Sequence, residues 1–438
     1  MGQVNEHYLD RVVAVAETAA VEAVEDILSG TGIKLVAKGG RIDARVRDRL
    51  LEHKLRKPLE MSVRVVDGVA TRPIDRVADA LLGRHALLSG MCGSRTAKVV
   101  ARALHDLRLT QPLESMLSLY AAQGNDKLEH AVGVALLAAA MTEQLPETGA
   151  NAMQTLLLAG LLHDVGELYI DPKILSAGQA VTAAQWRHIA THPVVASRVL
   201  RELPGCGTKV ADAILHHHER LDGFGYPQGL AGPALPLAGQ ALGLAEVLMG
   251  IAESGRSPGE RAAVAARLVP GEFDPRLRDK VIAAAVAARA SDAAEGSLTP
   301  VDTRDLAHRA SGVAKALRGF GMVRIRWQQS FAGTGAALRA LADHVFGRAQ
   351  RLQIAYSSTG LDAVGDASLE VELGQMHPSE HHEIAIVLRE VEWRLREIRR
   401  EFEARSAVLP AAEQALARQL AEVFDESAGQ PGEPSPET

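Results

Sequence analysis

Histidines and carboxylates recur in the middle of the chain where polar side chains are otherwise scarce. The segment HHHERLDGFGYPQG, residues 216–229, sets three histidines in a row before Glu219, Arg220, Asp222 and a loop built on Gly223, Gly225 and Pro227. Upstream, LLLAGLLHDVGEL closes an apolar run with adjacent His163 and Asp164. NDKLEHAVGVALLAA places Asp126 and His130 four apart, which on a helix puts both on one face. His188 and His192 share that spacing, and Glu246 interrupts the apolar ALGLAEVLMGI. An ionised carboxylate in such surroundings is costly unless it is paired or holds a metal. Each residue alone says little: a lone histidine on an apolar helix is more often a core residue, and Glu246 would as readily pair with an arginine. Together they offer about seven nitrogen and oxygen donors from separate helices, which suits a cage inside a helical bundle. Without usable thiolates, such a set favours iron, manganese or zinc. Two ions sharing a carboxylate are a common device for in-line displacement at a phosphodiester.

The elements that must position these donors read as mainly α. Hydrophobic residues make up 47% of the 438 residues but aromatics only 3%, so the core is built from alanine and leucine, which favour helix over strand. Residues 1–108 read as a small α/β domain. It has a helix over YLDRVVAVAETAAVEAVEDILS, a hairpin over GIKLVAKGGRI turning at Gly39-Gly40, and a basic helix starting at Asp43. The basic residues of 34–57 are interleaved with acids, as on an ordinary solvated face or an anion-binding one. Residues 109–298 are helical, interrupted by the Gly/Pro-rich stretch after Asp222. Residues 299–424 read as a helical domain, and 425–438 as a disordered, proline-rich tail. Within the last domain Ile384, Leu388, Val391, Leu395, Ile398 and Phe402 form a heptad seam. It suits either a homodimer, with Glu390, Arg394, Glu397 and Glu401 pairing across the interface, or packing onto GAALRALADHVFGRAQRL of the same chain.

Net charge −6 gives no reason to expect a nucleic acid polymer. Cys92 and Cys206 cannot build a disulfide framework, and a reducing cytoplasm fits. MGQVNEHYLDRVV lacks the apolar core of a signal peptide, and Glu6 spoils a myristoylation match. The longest apolar runs are too short to span a bilayer, so no membrane association is expected.

The order HDVG, HP, HHERLDGFGYPQGLAG, LPLAGQALGLAE, FDP resembles the HD-GYP branch of the HD-domain phosphohydrolases over roughly residues 120–290. That resemblance implies an all-helical HD-type bundle core with two or three divalent metals, commonly iron or manganese. It also implies hydrolysis of cyclic di-GMP to pGpG or GMP. Carried over, it makes His130, His163, Asp164, His192, His217, His218 and Glu246 ligands, with Asp164 bridging two ions. Asp126 falls where trinuclear members place an extra carboxylate, or it caps the following helix. His188 and His216 match no ligand position. Gly223, Gly225, Tyr226 and Pro227 form the substrate-side loop, and Asp164 and Glu167 are the catalytic candidates.

The sequence departs from the pattern at several points. Glu167 stands where the family has lysine, Glu246 where it has aspartate, Gln240 where it has arginine, and Gly133 where an arginine is usual. The basic stretch after the last ligand is replaced by ESGRSPGER, leaving Arg256 and Arg261 as substitutes. Lost positive charge weakens stabilisation of a phosphodiester transition state. Two expectations follow: a cyclic di-GMP phosphodiesterase of reduced activity, or a degenerate domain working as a nucleotide sensor or scaffold through its flanking domains.

Overall fold

A computed structural model describes residues 3–69, 71–124, 126–175, 181–254, 257–292, 301–330, 335–362 and 366–428. The chain divides into two compact units. The first takes in residues 1–181, 187–258 and 273–288, so the small N-terminal region and the central bundle form one body.

The first helix, Glu6–Val15, opens at Asn5, whose side chain accepts from the Tyr8 amide. The expected continuation to residue 29 does not occur. Val21–Ala23 and Ile27–Leu28 are strands, the first pairing antiparallel with Val63–Val65 and the second with Lys34–Val36. Val21 and Ala23 are buried while Glu22 lies between them, a period-two pattern that sheet pairing rewards over helix propensity. The hairpin over 32–42 is corrected likewise: Lys34–Val36 pairs backwards with Ile27–Leu28, and Ile33 is left exposed. Asp43 caps the helix Ala44–Glu52 as expected, though the helix stops at Glu52. The basic residues around it are spent on local acids: Arg47 on Glu6 and Asp10, Lys57 on Glu25, and Lys34 on Asp26.

The central bundle is built on Lys127–Thr142, Ala150–Leu162, Thr208–Leu215 and Leu237–Glu253. Residues 131–142 are buried around the whole helix, which explains their nearly uninterrupted apolar sequence. Small residues set the crossings. A Cβ on Gly160 would fall 2.4 Å from the Ala135 Cα, and one on Gly133 would fall 2.2 Å from the Met249 sulfur. The missing arginine at 133 is thus a packing position.

The second unit comprises residues 182–186, 259–272 and 289–438. Its helices are Thr303–Ser330, Ala336–Ser357, Asp366–Gln375, Pro378–Ser406 and Ala411–Ala428. The last of these carries helix past residue 425, and residues 429–438 of the expected tail lie outside the described residues. Pro378–Ser406 starts with a capping box between His377 and Glu380. Leu388, Val391, Ile398 and Phe402 of the seam are buried, and the helix packs on Ala336–Ser357, where Leu338, Leu341 and Val345 are buried too. The seam's flanking charges also turn inward. Arg394 meets Glu272 at 3.1 Å and Glu390 at 3.4 Å, and Arg348 meets Glu272 at 3.3 Å. Among the described residues, no helix is long and apolar enough to cross a membrane.

Candidate metal centre

Helix ends deliver most of the donors. His163 is the C-cap of Ala150–Leu162 and Asp164 follows it, while His192 begins His192–Glu202. His217 and His218 follow the C-terminus of Thr208–Leu215. His130 lies one turn into Lys127–Thr142, and Glu246 lies inside Leu237–Glu253. They converge into two groups that could each hold a metal ion: His130, His163, Asp164 and Glu246, and Asp164, His192, His217 and His218. Asp164 belongs to both. Its Oδ2 lies 3.2 Å from His163 Nε2, while its Oδ1 lies 3.3 Å from His192 Nε2 and 3.6 Å from His217 Nε2. Glu246 Oε2 lies 3.0 Å from His130 Nε2 and 3.2 Å from His163 Nε2. No arginine was needed to bury Glu246; imidazoles do it.

The hydrogen bonds around the rings fit a cation. His163, His192 and His217 each place Nδ1 against the carbonyl three residues back: Gly160 at 2.8 Å, Ile189 at 2.8 Å and Ile214 at 2.6 Å. A carbonyl only accepts, so each Nδ1 carries a proton, which leaves Nε2 as the nitrogen each ring can offer to a cation. Yet His192 Nε2 and His217 Nε2 face each other at 3.1 Å. The His163 Nε2 is buried and makes no hydrogen bond. Opposed imidazole nitrogens, and a buried nitrogen set between the Asp164 and Glu246 carboxylates, are what a divalent ion resolves. His130 differs, since its Nδ1 is 2.9 Å from Glu253 Oε1, a carboxylate–imidazole arrangement that strengthens a donor.

Electrostatics separate the two groups. Burial alone would raise the pKa values of Asp164 and Glu246, but the facing imidazoles of His163 and His130 hold both well below the carboxylate range. His163 is pushed up to about 10, because Asp164 and Glu246 outweigh the opposing effect of its burial. His217 is pushed down to about 4, chiefly by burial and with His192 and His163 adding to it.

The glycine-rich loop backs the second group. Glu219, itself buried, accepts from the amides of Gln228 at 2.6 Å, Gly229 at 3.1 Å and Leu230 at 3.0 Å. The Tyr226 ring stacks on His218 with centroids 4.6 Å apart. Gly225 permits the fold-back, since a Cβ there would lie 2.3 Å from the Glu219 Cα. Gly223 adopts φ +80°, and the Tyr226–Pro227 peptide is cis.

Asp126 joins neither group; it is exposed, and its side chain does not cap the helix that follows. His188 is exposed and His216 is buried outside both groups. Gln240 donates to the Leu235 carbonyl, Arg261 is engaged by Glu390 within the second unit, and Arg256 lies outside the described residues. Three participants went unread in the sequence. The Tyr120 hydroxyl donates to Asp164 Oδ2 at 3.3 Å, Glu253 holds His130, and Lys127 pairs with Glu167 at 2.8 Å. Glu253 had a signal: it lies seven residues after Glu246, on the same helix face.

Comparison with known proteins finds matches to the central part of the chain. An HD domain model matches residues 108–267. A cyclic di-GMP phosphodiesterase of Pseudomonas aeruginosa is 31% identical over 35% of this chain and 42% of its own length. A 3'3'-cGAMP-specific phosphodiesterase of Vibrio cholerae is 34% identical over 25% of this chain and 23% of its own. The chain thus spans less than half the length of these curated relatives. A solved HDG"Y"P protein from Bdellovibrio bacteriovorus matches at 17% identity and TM-score 0.32, covering 48% of this chain and 69% of that one. Residues 108–267 thus match an HD domain, and the donor order and the HHERLDGFGYPQG segment are similar to its HD-GYP branch.

Proposed function

We propose that the chain is a metal-dependent phosphodiesterase acting on a cyclic dinucleotide, with residues 109–298 as the catalytic region and 1–108 and 299–424 flanking it. The observation that carries this reading is the single carboxylate of Asp164 shared by two donor groups. His130, His163 and Glu246 would complete one site, and His192, His217 and His218 the other. Iron or manganese suits these nitrogen and oxygen donors. Bound there, paired ions supply Lewis acidity and a lowered water pKa at the phosphodiester. Asp164 orients the pair, and Tyr120 fixes the Asp164 carboxylate. Gly223, Gly225, Tyr226 and Pro227 form the wall on the substrate side, with Tyr226 also bracing His218. Asp126, exposed beside the cluster, is an extra ligand only if its side chain swings inward on metal loading.

Cyclic di-GMP is the substrate we favour, because the relatives matched are named for it or for the related 3'3'-cGAMP. A cytoplasmic location fits such a nucleotide. The seam of the second unit is used within one chain, so a homodimer or protein partner would have to engage other surfaces of the flanking regions.

Protein purified anaerobically with iron or manganese is expected to convert cyclic di-GMP to pGpG or GMP, read by chromatography. Absence of product with both metals would refute the phosphodiesterase reading and leave the nucleotide-sensor alternative.

A further inference from the structure

Glu167 is an anion beside a centre that must receive a phosphodiester, and a bare carboxylate there would repel it. The structure does not leave it bare. Lys127 Nζ lies 2.8 Å from Glu167 Oε2, and the ammonium also sits over the Tyr120 ring, 5.2 Å from its centroid. Tyr120 is the residue whose hydroxyl holds Asp164. Lys127 precedes His130 by three residues on the same helix, so both side chains share a face.

We propose that Lys127 is the phosphate-facing cation of this centre, and that Glu167 serves to hold it there. The inference rests on the phosphodiester reading above and adds a substrate-contacting residue to it. An ammonium carries three donors, and the bond to Glu167 uses one of them. The lysine side chain is 32% exposed against 18% for Glu167, so the cation is the more accessible member of the pair. Arg11, hydrogen-bonded to Gln123, also lies within electrostatic reach of Glu167. The ammonium is thus the more exposed member of a paired charge beside the centre. Lysine is a common phosphate binder acting as a point charge.

The test uses the manganese-loaded full chain, with inorganic phosphate as the probe in calorimetry and metal content measured in parallel. Lys127→Gln is expected to weaken phosphate binding about tenfold or more while metal content is retained. Lys127→Arg, which keeps the charge, should stay within a few-fold of the parent. Glu167→Gln keeps an acceptor for the lysine and removes an anion, so its phosphate affinity should hold or rise. The exchange Lys127→Glu with Glu167→Lys should recover part of what Lys127→Glu alone loses. Parent protein that ignores phosphate would overturn the inference, as would unchanged binding by Lys127→Gln or an equal loss in Lys127→Arg. Phosphate binding that depends on Lys127, without cyclic dinucleotide turnover, would uphold the cation site and sink only the substrate reading.

Discussion

Replacing Asp164 with alanine is expected to strip metal from both donor groups at once and to lower phosphodiester hydrolysis about a thousandfold or more. The expectation follows from its position: each of its oxygens faces a different group, and among the described residues no other belongs to both. Its loss also leaves imidazoles in a buried cluster without the carboxylate that compensates them. Glu246→Gln makes the contrast, since Glu246 contributes to the His130–His163 side alone. That variant should retain metal at the His192–His217–His218 group. Metal content by mass spectrometry, with turnover measured on the same samples, separates the two. Full metal and full activity in Asp164→Ala would refute the shared role.

Arg394→Ala is expected to destabilise the second unit by roughly 3–5 kcal/mol, the usual cost of removing one partner of a buried ion pair. Arg394 is 1% exposed and Glu272 is 2% exposed, so the glutamate left behind would lose a cationic partner in a site closed to water. Replacing Arg394 and Glu272 together by apolar residues of similar volume should cost much less, because Arg348 then keeps Glu397 and Glu390 keeps Arg261. Arg47→Ala, which breaks pairs to exposed acids in the first unit, should change stability by less than about 1 kcal/mol. Urea unfolding followed by circular dichroism would rank the three. An Arg394→Ala protein as stable as its parent would show that the network contributes little.

The donor set was legible because buried polar residues stand out against alanine and leucine, and because the loop after His217 is long and specific. The order of His130, His163, Asp164, His192, His217, His218 and Glu246 needed no structure to be noticed, and the family resemblance already implies Asp164 as the bridge; the division of the donors into two groups around it comes from the structure. Helical pattern failed where few residues decide the state. Residues 16–29 are rich in helix formers, yet Val21 and Ala23 find sheet partners some forty residues on, which local propensity does not register. The seam of Pro378–Ser406 reads the same whether its partner is a second chain or Ala336–Ser357, so sequence alone left both open. Its flanking charges looked like surface residues, and only packing showed Glu390 and Arg394 to be interior. The Lys127–Glu167 pair is not legible in the sequence, because its members lie forty residues apart.

The most direct measurement is anomalous diffraction from crystals loaded with manganese. Two peaks are predicted, one bound by Asp164, His130, His163 and Glu246, the other by Asp164, His192, His217 and His218. A single peak, or peaks that Asp164 does not touch, would contradict the account.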